Sequence, residues 1–208
     1  MTFEEAATIP QSAIVALQGL RKKRQIQPGQ KVLINGAGGG MGTFAVQIAK
    51  SFGAEVTGVD STRKLDMVRS IGADHVIDYT QEDFTKSGKH YDLILDIAAH
   101  HSIFHCKRAL SPKGIYVMVG GSKGAILQAM FLGPLISMFG SKKMGIVGYK
   151  PNKKEDMVFI GELFEAGKVV PVIDRRYPLS EVAEAFRYLE EGHHQGKLVI
   201  TVEHNNKT

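Results

Sequence analysis

The residues best suited to chemistry begin at Gly36-Ala37-Gly38-Gly39-Gly40-Met41-Gly42. A short apolar run, residues 31–35, leads into them, and Phe44, Ala45, Ile48 and Ala49 follow at helical spacing. Glycines here let a chain turn sharply out of a strand and bring backbone N–H groups against an anion. The helix that follows aims its positive end at the same place. A literal G-x-G-x-x-G is absent. The nearest match is Ala37-x-Gly39-x-x-Gly42, with Gly36 and Gly40 adding freedom. A flexible surface loop could carry the same glycines, but not a strand before, a helix after and a βαβ unit around them. That context points to the pyrophosphate of a dinucleotide. An adenosylmethionine-dependent methyltransferase uses a similar turn, but an acidic residue would be expected at the end of the first strand, where this chain has Asn35.

The second strand ends at Asp60, where a carboxylate accepts hydrogen bonds from the adenine ribose of an unphosphorylated dinucleotide and repels a 2′-phosphate. Ser61, Thr62, Arg63 and Lys64 come next. Two hydroxyls, a guanidinium and an ammonium make a phosphate-binding set. The two signals oppose each other. His100, His101, His105 and Cys106 are the one cluster that could suggest a metal, since His101 and His105 stand one helical turn apart. No carboxylate follows in a ligand pattern, so solvated or cap-adjacent histidines are expected there, and at His193 and His194. Cys106 is expected in a core. No hydrolase triad and no proton relay is readable.

Elements must position these groups. Strands are expected at residues 31–35, 55–59, 75–77, 91–97, 115–119 and 144–147, with helices at 41–52, 65–71 and 102–110. Gly72 closes the second of these helices in the position that favours a left-handed residue. The strand runs are apolar on both faces, as in strands buried between two helical layers. Repeated βαβ units predict an α/β fold of Rossmann type: a doubly wound, parallel, six-stranded sheet with helices on both faces. Two ends fall outside this pattern. Residues 3–20 read as one helix bent or restarted at Pro10. After the sixth strand come residues 170–177, a helix at 180–191 capped by Ser180, and a strand at 197–202. Residues 1–24 are thus expected as a linking helix, 25–168 as the dinucleotide-binding domain and 169–208 as a return segment.

At 208 residues, 43% hydrophobic and 23% charged, the chain has the balance of a packed globular unit rather than a disordered one. The net charge of +5 is scattered. Its one dense run, residues 21–24, reads as a solvated helix end, and no nucleic-acid partner is expected. A single cysteine excludes an internal disulfide and suits a reducing, cytoplasmic location. The first ten residues do not resemble a signal peptide. The apolar stretch 125–140 contains Gly133 and Pro134 and is short for a bilayer span, so it is expected to be buried or at a subunit contact, with no membrane partner.

Residues 29–79 together with Tyr-Asp-Leu-Ile-Leu-Asp (91–96), residues 106–121 and residues 178–200 resemble the cofactor domain of medium-chain dehydrogenase/reductases, especially zinc-independent quinone oxidoreductases. The resemblance runs over nearly the whole chain. It implies that Gly39, Gly40, Met41 and Gly42 form the pyrophosphate turn. Lys64 and Tyr79 match the pair that grips the 2′-phosphate in NADPH-dependent members, and Gly120, Gly121 and Ser122 match the loop that passes the nicotinamide. Asp60 departs from the NADPH members. The resemblance therefore implies NADPH, with NADH possible. It also implies an N-terminal catalytic domain ahead of the linking helix, so this chain is expected to be the cofactor half, with no catalytic residue assigned. A homodimer paired through the edge strand near residues 144–149 is expected, since relatives commonly pair there. Two functions follow: an oxidoreductase moving hydride between NAD(P)H and a small carbonyl, enone or quinone substrate, or a dinucleotide-binding module that turns nothing over.

Overall fold

The computed structural model describes residues 2–22, 25–151 and 153–202. Six parallel strands form one sheet in the order β3-β2-β1-β4-β5-β6. They are β1 (Lys31–Asn35), β2 (Glu55–Asp60), β3 (His75–Asp78), β4 (Tyr91–Asp96), β5 (Leu110–Met118) and β6 (Lys143–Ile146). Every pairing is parallel, with Val32 against Val56 on one side of β1 and Leu93 on the other. This is the Rossmann-type doubly wound sheet.

Side-chain alternation sends the strand residues to two cores. Val32, Ile34, Leu93, Leu95, Ile115 and Val117 meet α2 (Ser12–Arg21), α3 (Gly42–Ser51), α4 (Leu65–Ser70) and α7 (Lys154–Glu165). Leu33, Ile94, Tyr116 and Met118 meet α5 (Ile103–Arg108) and α6 (Lys123–Phe139) on the other face. Right-handed crossovers account for this division, because α3 and α4 return the chain on one side of β1 and α5 and α6 on the other. The β3–β4 connection carries no helix; buried Phe84 covers the sheet there.

Pro10 divides the expected N-terminal helix into α1 (Phe3–Thr8) and α2. Far from only linking, α2 belongs to the core: Ala13, Ala16, Leu17 and Leu20 are buried, and a Cβ on Gly19 would lie 2.6 Å from Leu95 Cδ1. At its end Arg21 is not solvated as expected, since its guanidinium stacks 3.8 Å from the Phe159 ring centroid. Lys23 and Arg24 of the same basic run lie outside the described residues.

Past α7 the chain leaves the sheet. β7 (Ile173–Pro178) and β8 (Lys197–Thr201) pair parallel in a separate two-stranded sheet, with α8 (Val182–Glu190) between them. Ser180 does not cap α8. It lies inside a 3-10 turn, Leu179–Glu181, and the residue before α8 makes no side-chain cap. The 125–140 stretch, expected to be buried or at a subunit contact, is buried on one side only. It lies within α6, whose small residues Ala125, Ala129 and Gly133 face inward while Leu127, Phe131, Leu135, Met138 and Phe139 are exposed. Among the described residues no helix is long and apolar enough to cross a membrane.

Three strands are tied at their C-terminal ends by a buried carboxylate. Asp96 Oδ1 accepts from Asn35 Nδ2 at 2.8 Å, and its Oδ2 accepts from the Tyr116 hydroxyl at 2.9 Å. Burial pushes this carboxyl above its ordinary pKa, and the Asn35 and Tyr116 bonds and the Ala98 N–H act against that rise. Tyr116→Phe leaves the carboxylate one donor short in a dry site. It should cost about 1–3 kcal/mol in urea denaturation, and an unchanged midpoint would show that the network carries no stability.

Candidate functional site

The glycine segment leaves β1 in a turn that only a residue without Cβ adopts readily: Gly36 has φ +85°. The N–H groups of Gly36 and Ala37 both donate to the Val59 carbonyl, at 2.9 and 3.1 Å, and lay the loop over the end of β2. It then folds back on itself. A Cβ on Gly42 would stand 2.0 Å from the Gly36 carbonyl oxygen, so only glycine lets α3 begin this close to the loop. Met41, the N-cap of α3, makes no side-chain cap, and among the described residues no partner meets the N–H groups of Met41 and Gly42, while Gly40 is engaged by the bridge between Gly39 and Gly196. Unmet donors at the positive end of a ten-residue helix are what a pyrophosphate requires.

Asp60 holds the loop from the β2 side. Its Oδ2 accepts from the Gly38 N–H at 2.7 Å and its Oδ1 from the Ser61 N–H at 2.8 Å. Lys64 is buried beside it, with Nζ 3.9 Å from Asp60 Oδ1 and donating to the Gly192 carbonyl at 2.9 Å. The ammonium has three hydrogens, so this bond leaves donors for a ligand. The opposing signals at Asp60 and Lys64 thus meet in one cluster. Thr62 donates to Asp78 Oδ2, and Thr80 donates to Asp78 Oδ1 through its N–H and hydroxyl at 2.9 and 2.7 Å. These bonds, that from Thr62 foremost, hold the Asp78 carboxyl below its usual range. The Tyr79 N–H, one residue on, donates to the Asp60 carbonyl at 3.2 Å.

A cavity of about 520 Å³ opens where β1 and β4 diverge. Chain connectivity reverses there, the place where doubly wound sheets take ligands. Of the residues singled out from sequence, Gly36, Gly39, Asp60, Ser61, Lys64 and Tyr79 line it. Gly40, Met41, Gly42, Thr62 and Arg63 sit outside its wall. Gly40 is covered by the Lys197 side chain, and the Arg63 carbonyl accepts from Gln195 Nε2 at 3.3 Å. Gly120, Gly121 and Ser122 also lie outside it, zipped to the loop after β4: Ala99 donates to the Gly120 carbonyl at 3.1 Å and Ser122 donates to that of Ala99 at 2.8 Å.

The wall residues that sequence reasoning did not assign to the site include two histidines. His100, expected to be solvated or near a cap, follows β4 at the switch point, and its Nδ1 lies 3.1 Å from the Ala98 carbonyl. Its position just past a strand at the point of reversal was the signal that could have found it. His194 enters from the far end of the chain and no local pattern marked it. His101 precedes α5 rather than lying on it, so it shares no helical face with His105. Its ring packs edge-on against Phe84 with centroids 5.1 Å apart. Cys106 is fully buried, and burial pushes its thiol up to about 12, far from a reactive thiolate. Among the described residues no three His, Cys, Asp or Glu stand together as a metal-binding group.

The fold and this cavity define an α/β unit of the doubly wound class with a crevice at its strand reversal. A model of the zinc-binding dehydrogenase family matches residues 71–200, and the chain belongs to that family, the medium-chain dehydrogenase/reductases. It is 34% identical over 223 residues to the mitochondrial NAD(P)H oxidoreductase RTN4IP1 of Mus musculus, covering 97% of this chain and 56% of that protein. It is 32% identical over 204 residues to the 2-methylene-furan-3-one reductase of Solanum lycopersicum, covering 96% of this chain and 47% of the other. The solved quinone oxidoreductase of Coxiella burnetii superposes with a TM-score of 0.83 at 29% identity, over 98% of this chain and 62% of that one. The chain thus spans about half the length of the curated relatives it matches.

Gly42→Ala tests the close approach of α3. The methyl group meets backbone rather than a movable side chain, so a loss of about 1–3 kcal/mol is expected in urea denaturation. Unchanged stability would mean that the loop yields without cost.

Proposed function

We propose that this chain is the nicotinamide-dinucleotide-binding half of an oxidoreductase that moves hydride between NAD(P)H and a small carbonyl, enone or quinone. The observation that carries the reading is the cavity at the strand reversal. The unpartnered N–H groups of Met41 and Gly42 lie beside it, and the Asp60–Lys64 cluster lies at its β2 end. When bound, the nicotinamide supplies the redox chemistry. The chain's own task is to grip the pyrophosphate at α3, seat the adenosine against Asp60, Lys64 and Tyr79, and present the nicotinamide toward the loops after β4 and β5, with Gly120, Gly121 and Ser122.

NADPH is the preferred cofactor on this reading, and NADH remains a ligand. Asp60 already accepts two backbone N–H groups and faces a lysine, so its charge opposes a 2′-phosphate less than a free carboxylate would. Lys64 and the half-exposed Tyr79 flank the place where that phosphate would sit. No residue here is assigned to proton transfer. The second reading, a binding module without turnover, draws on the same cavity, in which no residue is assigned to proton transfer.

The further expectations belong to the same proposal. β6 is a sheet edge, and beside it α6 turns an apolar face outward, which suits a homodimer. The partner otherwise is a small-molecule substrate, with neither nucleic acid nor membrane. A single buried cysteine suits a reducing compartment such as the cytoplasm, although the name of the mouse relative is mitochondrial.

Fluorescence titration with NADPH and NADH, followed by a quinone and enone reduction assay on the same chain, separates the readings. Binding with turnover supports the enzyme, binding without it supports the module, and no binding defeats both. Lys64→Ala should weaken NADPH about tenfold and NADH far less; equal losses would remove the 2′-phosphate role. Light scattering should give a dimer, and a monomer would overturn the proposed pairing.

A further inference from the structure

The C-terminal segment brings into the cavity a titratable group that neither the glycine loop nor the β2 motif contains. His194 lines the same wall as Asp60, Lys64, Tyr79 and Gly192. Its position is fixed by backbone on both sides: Lys64 Nζ binds the Gly192 carbonyl at 2.9 Å, and the Gly196 N–H donates to the Gly38 carbonyl at 2.9 Å. Between them Gln195 Nε2 reaches the Arg63 carbonyl and the Gln195 N–H reaches Asp174 Oδ2, each at 3.3 Å. The imidazole is therefore held against the Asp60–Lys64 cluster by four contacts that do not involve its own ring.

The ring itself is unsatisfied. Nδ1 is enclosed and has no hydrogen-bond partner among the described residues, while Nε2 is not enclosed and bonds to no described residue. An enclosed lone pair without a donor costs less than an enclosed N–H without an acceptor, so the neutral ring carries its proton on Nε2. An N–H open to a ligand-sized cavity, within the field of the Lys64 ammonium, suits an anion.

We propose that His194 is a specificity-determining residue of this cavity, which together with Lys64 receives the 2′-phosphate of NADPH and takes up a proton in doing so. The inference rests on the dinucleotide reading above and adds to it a residue from outside the cofactor motifs. The proton moves from solvent to the imidazole, and no covalent bond forms or breaks. Without ligand, burial first and then the Lys64 ammonium hold the imidazole below its ordinary range. Lys197 acts in the same direction, while Asp174 and Asp60 oppose it. A phosphate dianion at this place reverses the balance by favouring the charged ring. The sign follows. The free ring titrates below its usual range and the complexed ring above that, so NADPH affinity rises as pH falls from the upper of these values toward the lower. NADH has no 2′-phosphate and should show little of this slope.

The test uses the full chain and its His194→Ala and His194→Gln variants, each first checked for an unchanged thermal unfolding transition. NADPH, NADH and 2′,5′-ADP are titrated between about pH 6.5 and 8.5, above the second ionisation of the phosphate near 6. At the acid end His194→Ala should weaken NADPH and 2′,5′-ADP about tenfold, the loss of a charge-assisted hydrogen bond, with NADH within about twofold. Glutamine keeps a donor but cannot charge, so His194→Gln should retain NADPH binding at the alkaline end and lose the pH slope. Equal weakening of both dinucleotides would move His194 off the 2′-phosphate and overturn the inference, as would an unaltered slope in either variant. If the unsubstituted chain binds neither dinucleotide, the functional reading falls with it; if it binds both and only the His194 pattern fails, that reading stands.

Discussion

The architecture of the cavity depends on the Asp60 carboxylate. It sits at the end of β2 with one oxygen on the Gly38 N–H and the other on the Ser61 N–H, so one side chain sets both the glycine loop and the loop after β2. A charge this buried requires partners, and hydrogen bonds from N–H groups to a carboxylate are among the stronger ones. Lys64 completes the set from 3.9 Å. A ligand seated here meets a carboxylate that has already committed much of its hydrogen-bonding capacity to the fold. An acidic residue at this point therefore does not act only as a filter against phosphate.

The same loop is fastened from a second direction by the end of the chain. Gly196 donates to Gly38, and Lys197 covers Gly40 while its Nζ donates to Ser12 Oγ at 2.9 Å. Gln47 on α3 exchanges two hydrogen bonds with Val170, and Arg176 on β7 pairs with Glu4 at 2.5 Å. A two-stranded sheet is marginal by itself. Here β7 and β8 are held by α1, α3 and the glycine loop, so the return segment and the N-terminal helices form one side of the site. Sequence distance conceals this, because the partners come from opposite ends of the chain.

What the sequence made legible was local and periodic. Strand runs, the Gly36–Gly42 turn and Gly72 at φ +107° each express a backbone rule that acts within a few residues, and the structure has them within a residue or two of their expected places. Strand β5 is the main exception, beginning at Leu110 because Tyr91 and Leu110 pair before the register shifts. The misses were tertiary. Nothing near His194 announces a cavity, and His100 is marked only by the strand order, which is itself tertiary. Arg21 is taken out of solvent by two phenylalanines, one of them on α7. Ser180 has the chemistry of a cap, but the chain makes a 3-10 turn there and α8 starts later. For the 125–140 stretch, expected to be buried or at a subunit contact, hydrophobicity without a strong period does not say which face turns inward. The small residues face inward, since a Cβ on Gly133 would stand 3.1 Å from the Met144 carbonyl oxygen.

Opposite the Asp60 cluster the crevice is braced by Asp96, and the two carboxylates divide the work. Asp60 positions the glycine loop and the loop after β2. Asp96 locks the floor, joining β1 through Asn35 and β5 through Tyr116, while the Asn35 amide also reaches the Ala98 carbonyl at 3.3 Å. Backbone bonds continue the brace outward, with Val119 donating to the Asp96 carbonyl at 2.8 Å and Ala99 to Gly120. A buried polar network whose members are all partnered resists rearrangement, because loss of any one donor leaves a charge unsolvated. The divergence of β1 and β4 is thus a rigid opening. Ile97, Ala98 and His100 are carried on its edge at fixed places, and any ligand must adapt to that floor rather than reshape it.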